Sequence, residues 1–447
     1  KVVLNIKKKT RFLALLCAFV MAASVTACSS GGETSEASGA PDASSAADDT
    51  ASTPDEGGSE TAPVSGTITF LSWNNETVMD PVLQGFRDAN PDVTIDLIYA
   101  PPIQDYVEKF QILYSTGEMT DVFLTVAENK AAVLDNEIAL DISYLDIFDR
   151  LSQKNIDTYS RDGKVYAFAP DGWYCGVLYN KNILADNGIE VPTNYEEFNQ
   201  SMVTLKENGV QPWVFCSTNL YDPIQGYVAT ETISADPQYD EKVNNGELTY
   251  ADGWTKPMEL WKQNYLDAGM INEDALGLTG DQANEIFAFE EAAYMVGASW
   301  APAALEELNP DLEYGMLPWF GTEDGTAWMT GAAGVGWSVN KDAKNLDGAK
   351  VLLEYLTTDE ALTVFQQETS GILAVEGIDF PLNPVLEEGY QYFLDGKYYL
   401  PATAWKYSDA LGNNMTINTQ EIVAGNMTIE EFVQDMDDTR TELDAEQ

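Results

Sequence analysis

The chain has 447 residues, 45% of them hydrophobic and 11% aromatic, enough to bury two or three domain cores. Its 73 acidic against 23 basic residues give a formal charge of -50, so it repels phosphate backbones and offers no basic patch to nucleic acid. There is no histidine, which removes the commonest general base, the usual zinc ligand and the Ser-His-Asp and Cys-His arrangements, and leaves carboxylate and lysine chemistry standing. So many carboxylates fit a protein solvated outside a cell. The sharper alternative is capture of cations such as polyamines or calcium.

Lys7, Lys8, Lys9 and Arg11 precede an apolar run from Phe12 to Val25, which Val25-Thr26-Ala27-Cys28 closes. This is the order of a secretory leader: basic start, apolar middle, small-residue cleavage site. The run falls short of the roughly 20 residues of a membrane span. A cysteine at the cleavage point resembles the bacterial lipobox, with Val25 where leucine is usual. That resemblance implies loss of residues 1–27, acylation of Cys28 and anchoring at the outer face of the cytoplasmic membrane. From Ser29 to Ser65 the chain is Ser, Gly, Ala, Thr, Asp, Glu and Pro, with Val64 the one exception and no aromatic residue. Such a stretch cannot bury enough surface to offset its ordering entropy, so 28–65 is expected to be a disordered acidic tether. Of the 4 cysteines only Cys175 and Cys216 belong to the body, where spacing leaves a disulfide and two buried thiols equally open.

The body begins near Gly66. Thr67 to Trp73 reads as a strand, and Pro81 to Asn90 as a helix with Val82, Leu83 and Phe86 on one face. Val93 to Tyr99 reads as a strand alternating at Val93, Ile95 and Leu97, Ile103 to Ser115 as a helix, and Asp121 to Val126 as a third strand. That alternation is the mark of a parallel sheet. It resumes after Lys164 with a strand near Val177 to Tyr179 and a helix opening at the capping box Thr193-Asn194-Tyr195-Glu196. Thr357 with Glu360, and Thr428 with Glu431, repeat the signature. There is no internal repeat, and the fold class is α/β. Ligands of open α/β sheets bind beyond the carboxyl ends of strands. This nominates Trp73, Asn74, Asn75 and Glu76 after the first strand, Glu128 after the third, and Trp173 and Tyr174 beside the central crossover.

Seven segments now stand in order: Ile68 to Trp73, Phe86 to Leu97, Asp105 to Phe123, Gly163 to Leu184, Phe289 to Trp300, Gly334 to Leu362 and Ala424 to Phe432. Together they resemble the extracellular solute-binding proteins of carbohydrate ABC importers, the maltose-binding protein family. The resemblance implies a two-lobed periplasmic-binding-protein-like fold with a hinge and discontinuous lobes, 66–170 with 332–377 and 171–331 with 378–447. The hinge would fall near Ala169 to Gly172 and Thr330 to Ala333. It implies a monomeric, lipid-anchored receptor that closes on a small ligand, an oligosaccharide, and delivers it to the membrane permease of an ABC importer. No cofactor, metal or catalytic step is called for. Two departures, the absence of a charged pair after the first strand and Trp173 in place of a carboxylate, bear on which sugar is bound.

A pyranose presents an apolar C–H face and a rim of hydroxyls, so its site needs flat aromatic surfaces and short polar side chains. By the resemblance, Trp300 stacks on one ring and Trp73 or Trp173 faces it, with Trp405 near the cleft. Asn74, Asn75, Glu76 and Glu128 would bind hydroxyls. Trp319, Trp328 and Trp337 are expected in the core or cleft wall, and Asp121 in a supporting turn. Two alternatives stand beside this reading. One is the same fold holding a polyamine or other cation between carboxylates and aromatic walls. The other is a glycoside hydrolase with two carboxylates, for which 73 acidic residues always supply some pair and therefore no information.

Overall fold

The computed structural model describes residues 64–446. The expected leader, Cys28 and all but the end of the expected tether lie outside the described residues. In chain order the strands are β1 (Gly66–Ser72), β2 (Val93–Tyr99), β3 (Val122–Thr125), β4 (Ser160–Arg161), β5 (Lys164–Val165), β6 (Asp171–Asn180) and β7 (Trp213–Val214), followed by β8 (Tyr294–Ala298), β9 (Tyr314–Leu317), β10 (Trp319–Phe320), β11 (Ala327–Ala333), β12 (Gly336–Val339), β13 (Ile372–Leu373) and β14 (Tyr398–Tyr399).

Two sheets organise an α/β, two-lobed molecule. The first runs β12-β3-β1-β2, with β1 parallel to β2 and β3 and with β12 antiparallel at the edge. In the second, β6 pairs antiparallel with β8, β9, β11 and β13. The expectation of a parallel sheet therefore holds for β1 to β3 and fails for the second sheet. There, β6 is long enough to collect partners from several distant segments.

β6 also divides its side chains by the two-residue period of a strand. Tyr174 and Leu178 enter one core with Phe70, Phe86, Phe123, Trp337 and Leu352, while Cys175, Val177 and Tyr179 enter the other with Trp213, Trp254, Trp261 and Phe432. At its first two residues the chain crosses between the sheets three times. Gly172 pairs with Ala333 on one side and Ile372 on the other, and Asp171 pairs with Leu373. The amide of Gly334 donates to the Asp171 carbonyl at 2.7 Å and that of Ala374 to the Pro170 carbonyl at 2.8 Å.

Three local boundaries differ from the sequence expectation, each for a capping reason. The first helix is Glu76–Ala89, because the Asn75 side chain accepts from the Val78 amide at 3.2 Å and starts it ahead of Pro81. The helix near 193 is capped by Asn194, one residue later than expected: its carboxamide accepts from the Glu197 amide, while the Glu197 carboxylate accepts from the Thr193 amide and hydroxyl. Thr358, not Thr357, caps the helix Asp359–Thr369, whereas Thr428 and Glu431 form the expected box. Cys175 and Cys216 are buried free thiols. No described helix is long and apolar enough to cross a membrane.

The crossing leaves no space for side chains. A Cβ on Gly334 would lie 2.1 Å from Asp171 Oδ1 and 2.9 Å from its carbonyl oxygen, whereas one on Gly280 would meet nothing within 4 Å. Gly334→Ala is expected to cost about 1–3 kcal/mol by overpacking in urea unfolding, with Gly280→Ala near wild type. Equal midpoints for the two variants would refute this reading of the crossing.

Candidate functional site

β1 ends at Ser72, whose buried hydroxyl accepts from the Asn74 amide at 3.0 Å and turns the chain into the first helix. Trp73 leaves this turn half-buried, edge-on to Tyr106 with ring centroids 6.3 Å apart. Tyr106 is itself fixed, its hydroxyl donating to the Leu124 carbonyl and accepting from the Leu124 amide, each at 2.7 Å. Trp73 thus has a rigid backing and shows its free side to a cavity of about 420 Å³. Glu128, exposed in the first turn of the helix Ala127–Asp135, lines the same cavity. Asn75 is spent on its cap and Glu76 lies exposed in the first helical turn, and neither they nor Asn74 line this cavity or the next.

Trp173 points from β6 into that cavity and into a second one of about 470 Å³. Trp300, two residues beyond the end of β8 and just ahead of the helix Ala301–Leu308, meets Trp173 at 5.6 Å with the rings inclined by 57°. Trp300 is 65% exposed, the most exposed large apolar side chain among the described residues. Trp73, Glu128, Trp173 and Trp300 are therefore gathered around two adjoining hollows that share Trp173 and Leu400.

Two more nominated residues are placed elsewhere. Tyr174 faces the opposite side of β6 from Trp173, fully buried, donating to the Leu386 carbonyl at 2.7 Å with its ring against Phe393. Strand alternation forbids both neighbours from facing the cleft. Trp405 is buried in the second core, 5.4 Å from both Tyr250 and Trp254. Trp319 and Trp337 are core, and Trp328 packs against the second core. Asp121 is a brace: its carboxylate accepts from the Thr69 amide and hydroxyl and from the Asn345 amide, tying β1 to the helix that follows β12.

The hollows contain polar groups that sequence reasoning missed. Asp171 lines the first and Asp222 the second, and burial pushes each carboxyl up to about 7. Gln225 donates to Asp222 at 2.8 Å. Lys130 lines the first hollow and donates to the Thr403 carbonyl at 3.1 Å, reaching from the β3 side to the β14 side of the cleft. Burial, with Lys154 and Arg161 nearby, holds its amine below the usual lysine range. Asp171 follows a proline and Asp222 precedes one, so each reads as an ordinary turn or helix-start residue with no sign of which way it faces. Among the described residues, no group of three or more Cys, Asp or Glu is placed to hold a metal ion. The arrangement offers flat apolar faces, neutral amide and hydroxyl partners, and carboxyls poised between acceptor and donor. That is a set for holding a polyhydroxylated molecule.

Comparison with known proteins points the same way. The chain is 23% identical over 363 residues to the Multiple sugar-binding protein of Streptococcus mutans, covering 76% of this chain and 84% of that protein. It is 24% identical over 361 residues to the Melibiose/raffinose/stachyose-binding protein of Bacillus subtilis, covering 74% and 79% respectively. A family 1 extracellular solute-binding protein from Bifidobacterium longum subsp. infantis has the same fold, with a TM-score of 0.76 at 22% identity over 85% of this chain and 100% of that one. The signature of the bacterial extracellular solute-binding proteins matches residues 72–363, from the end of β1 past β12 and including the tryptophan junction, and the chain belongs to that family.

Proposed function

We propose that this protein captures a neutral oligosaccharide between its lobes and delivers it unchanged to the membrane subunits of an ABC importer. The observation that carries the reading is the Trp173–Trp300 pair. A large indole left mostly in water is unfavourable unless a partner covers it, and it stands over two hollows whose polar groups suit hydroxyls. Two relatives are named for sugars and none of those compared for a polyamine, which favours the glycan over the cationic alternative. The ligand contacts are Trp73, Glu128, Trp173 and Trp300, joined by Lys130, Asp171, Asp222 and Gln225. A ligand touching both lobes favours the closed state by its differential affinity, and the permease reads that shape. The lobes are 66–170 with 332–377 and 171–331 with 378–447, turning about the crossings at Asp171–Gly172, Ala333–Gly334 and the segment from Ile372 to Gly377. The protein works as a monomer held to the outer face of the membrane by lipid on Cys28.

Trp300→Ala is expected to weaken glycan binding about thirty-fold or more, roughly 2 kcal/mol, while leaving the unliganded melting temperature nearly unchanged because the ring is exposed. Titration calorimetry against neutral oligosaccharides and polyamines checks it. Stabilisation by polyamines and by no glycan would overturn the assignment.

A pH effect follows from Asp222. In the unfolded chain an aspartate releases its proton near 3.9, whereas in the folded protein burial holds the carboxyl to about 7. The folded state binds the extra proton between these values, so this group's contribution to stability is present at low pH and is lost as pH rises toward 7. Asp222→Asn, which cannot ionise, is expected to gain melting temperature over wild type from pH 5 to pH 8. A constant difference would show that Asp222 is not held protonated.

Cys28→Ser is expected to shift the protein from the membrane fraction to the medium. Retention of the variant at the membrane would exclude the lipid anchor.

A further inference from the structure

On one flank of the cleft the segment from Gly396 to Lys406 lies against two helices of the other lobe, Ala127–Asp135 and Gln153–Thr158. The segment is tied to its own side. Tyr399 donates to Asp240 on the helix Tyr239–Asn244 at 3.1 Å, and Asn244 donates to the Ala404 carbonyl at 2.8 Å and accepts from the Lys406 amide at 3.0 Å. Facing it from the other lobe are two cations, Lys130 and Lys154. Lys130 has an acceptor, the Thr403 carbonyl. At Gly396 the two sides come close enough that an added Cβ would lie 3.1 Å from the Lys154 Cβ and 3.2 Å from the Ser152 Cβ.

Lys154 is the cation without an acceptor. It is half-buried, and neither it nor Asp240, 8% exposed, is in an ion pair among the described residues. Each charge acts on the other: Asp240 favours the charged lysine and Lys154 the charged aspartate, while burial opposes both. The remaining groups around them offer no better partner. Asp157, on the helix of Lys154 itself, is exposed and accepts from Gln153 at 2.8 Å, and Lys130 repels Lys154. Tyr239, Tyr250 and Tyr399, beside Asp240, are kept protonated by burial. Thr158, at the end of the Lys154 helix, and Thr403 both line the hollow beside Asp171. A rotation that narrows this hollow about a ligand therefore draws Lys154 toward Asp240.

We propose that Lys154 and Asp240 are positioning residues that form an ion pair across the cleft as the lobes close, raising glycan affinity without touching the glycan. The proposal rests on the sugar-receptor reading and the lobe division above. Neither residue lines the hollow beside Asp171 or the one beside Asp222. An interaction made only in the closed state shifts the equilibrium toward it and so tightens whatever ligand closes the lobes. Desolvation of the two charges offsets much of their attraction, so the expected gain is modest, about five-fold in affinity.

Titration calorimetry on the full chain with raffinose, stachyose, maltotriose and maltotetraose measures the affinities, and thermal unfolding without glycan measures the stabilities. Lys154→Met keeps the side-chain stem, and Asp240→Asn keeps an acceptor for Tyr399. Each is expected to weaken the glycan that binds about five-fold, and the double variant no further than either alone. Unliganded stability is expected to show no such coupling, because the pair is not made before closure. Lys154→Arg is expected to hold affinity within about two-fold of wild type, and Asp157→Asn to leave it unchanged. If Asp240→Asn does not fold, the contrast between Lys154→Met and Lys154→Arg decides. Unchanged affinity in Lys154→Met, equal losses in Lys154→Met and Lys154→Arg, additive losses in the double variant, or the same coupling in unliganded stability overturns the ion pair. Glycan binding that Trp300→Ala weakens and these substitutions spare removes this inference alone. Binding of none of the four glycans removes it together with the sugar-receptor reading.

Discussion

Everything in this molecule depends on how closely three backbone crossings pack at the start of β6. Gly172 pairs with β11 on one side and β13 on the other, Asp171 pairs with β13, and the amides of Gly334 and Ala374 donate to carbonyls at that point. Glycine at 172 and 334 lets the segments touch, because a side chain at either would collide with backbone. The same crowding takes Asp171 partly out of water, and burial raises its carboxyl to about 7. A point where few segments meet, held by backbone hydrogen bonds, is where relative rotation of two lobes is least costly.

From that point β6 does two jobs through one periodicity. Its even-numbered side chains, Tyr174 and Leu178, complete the core that includes the first sheet, and its odd-numbered ones, Cys175, Val177 and Tyr179, complete the core of the second. Trp173 belongs to the odd set but sits one step nearer the crossing, where the second core covers it only in part, so its ring also lines the hollows. Trp300 reaches the same place from the end of β8, whose Ala298 pairs with Cys175. The proposed binding surface is thus the uncovered margin of a packed structure, and its rigidity comes from the core next to it.

The α/β class, the order of the first three strands and the helix faces at Val82, Leu83 and Phe86 were legible because hydrophobic periodicity is a local property. The helix starts were off by one or a few residues, because Asn75, Asn194 and Thr358 compete as caps with neighbours of similar chemistry and the side-chain geometry chooses between them. Position after a strand nominated Trp73, Glu128 and Trp173, which line the hollows, together with Asn74, Asn75 and Glu76, which do not, and Tyr174, which alternation sends the other way, while Trp405, placed near the cleft by the resemblance, is absorbed by the second core.

The sequence by itself determined the balance of charge, the absence of histidine chemistry, the alternation of strand and helix, and a family resemblance carried by segments in order. These are properties of composition and of neighbours along the chain. Only the tertiary structure decided that Asp171, Asp222, Gln225 and Lys130 join the tryptophans, that the second sheet is largely antiparallel about β6, and that the charges of Lys154 and Asp240 act on one another. Those facts turn on which residues distant in sequence come within a few ångströms of one another. No local pattern encodes that proximity, and burial, the source of the raised carboxyls, exists only once the lobes have packed.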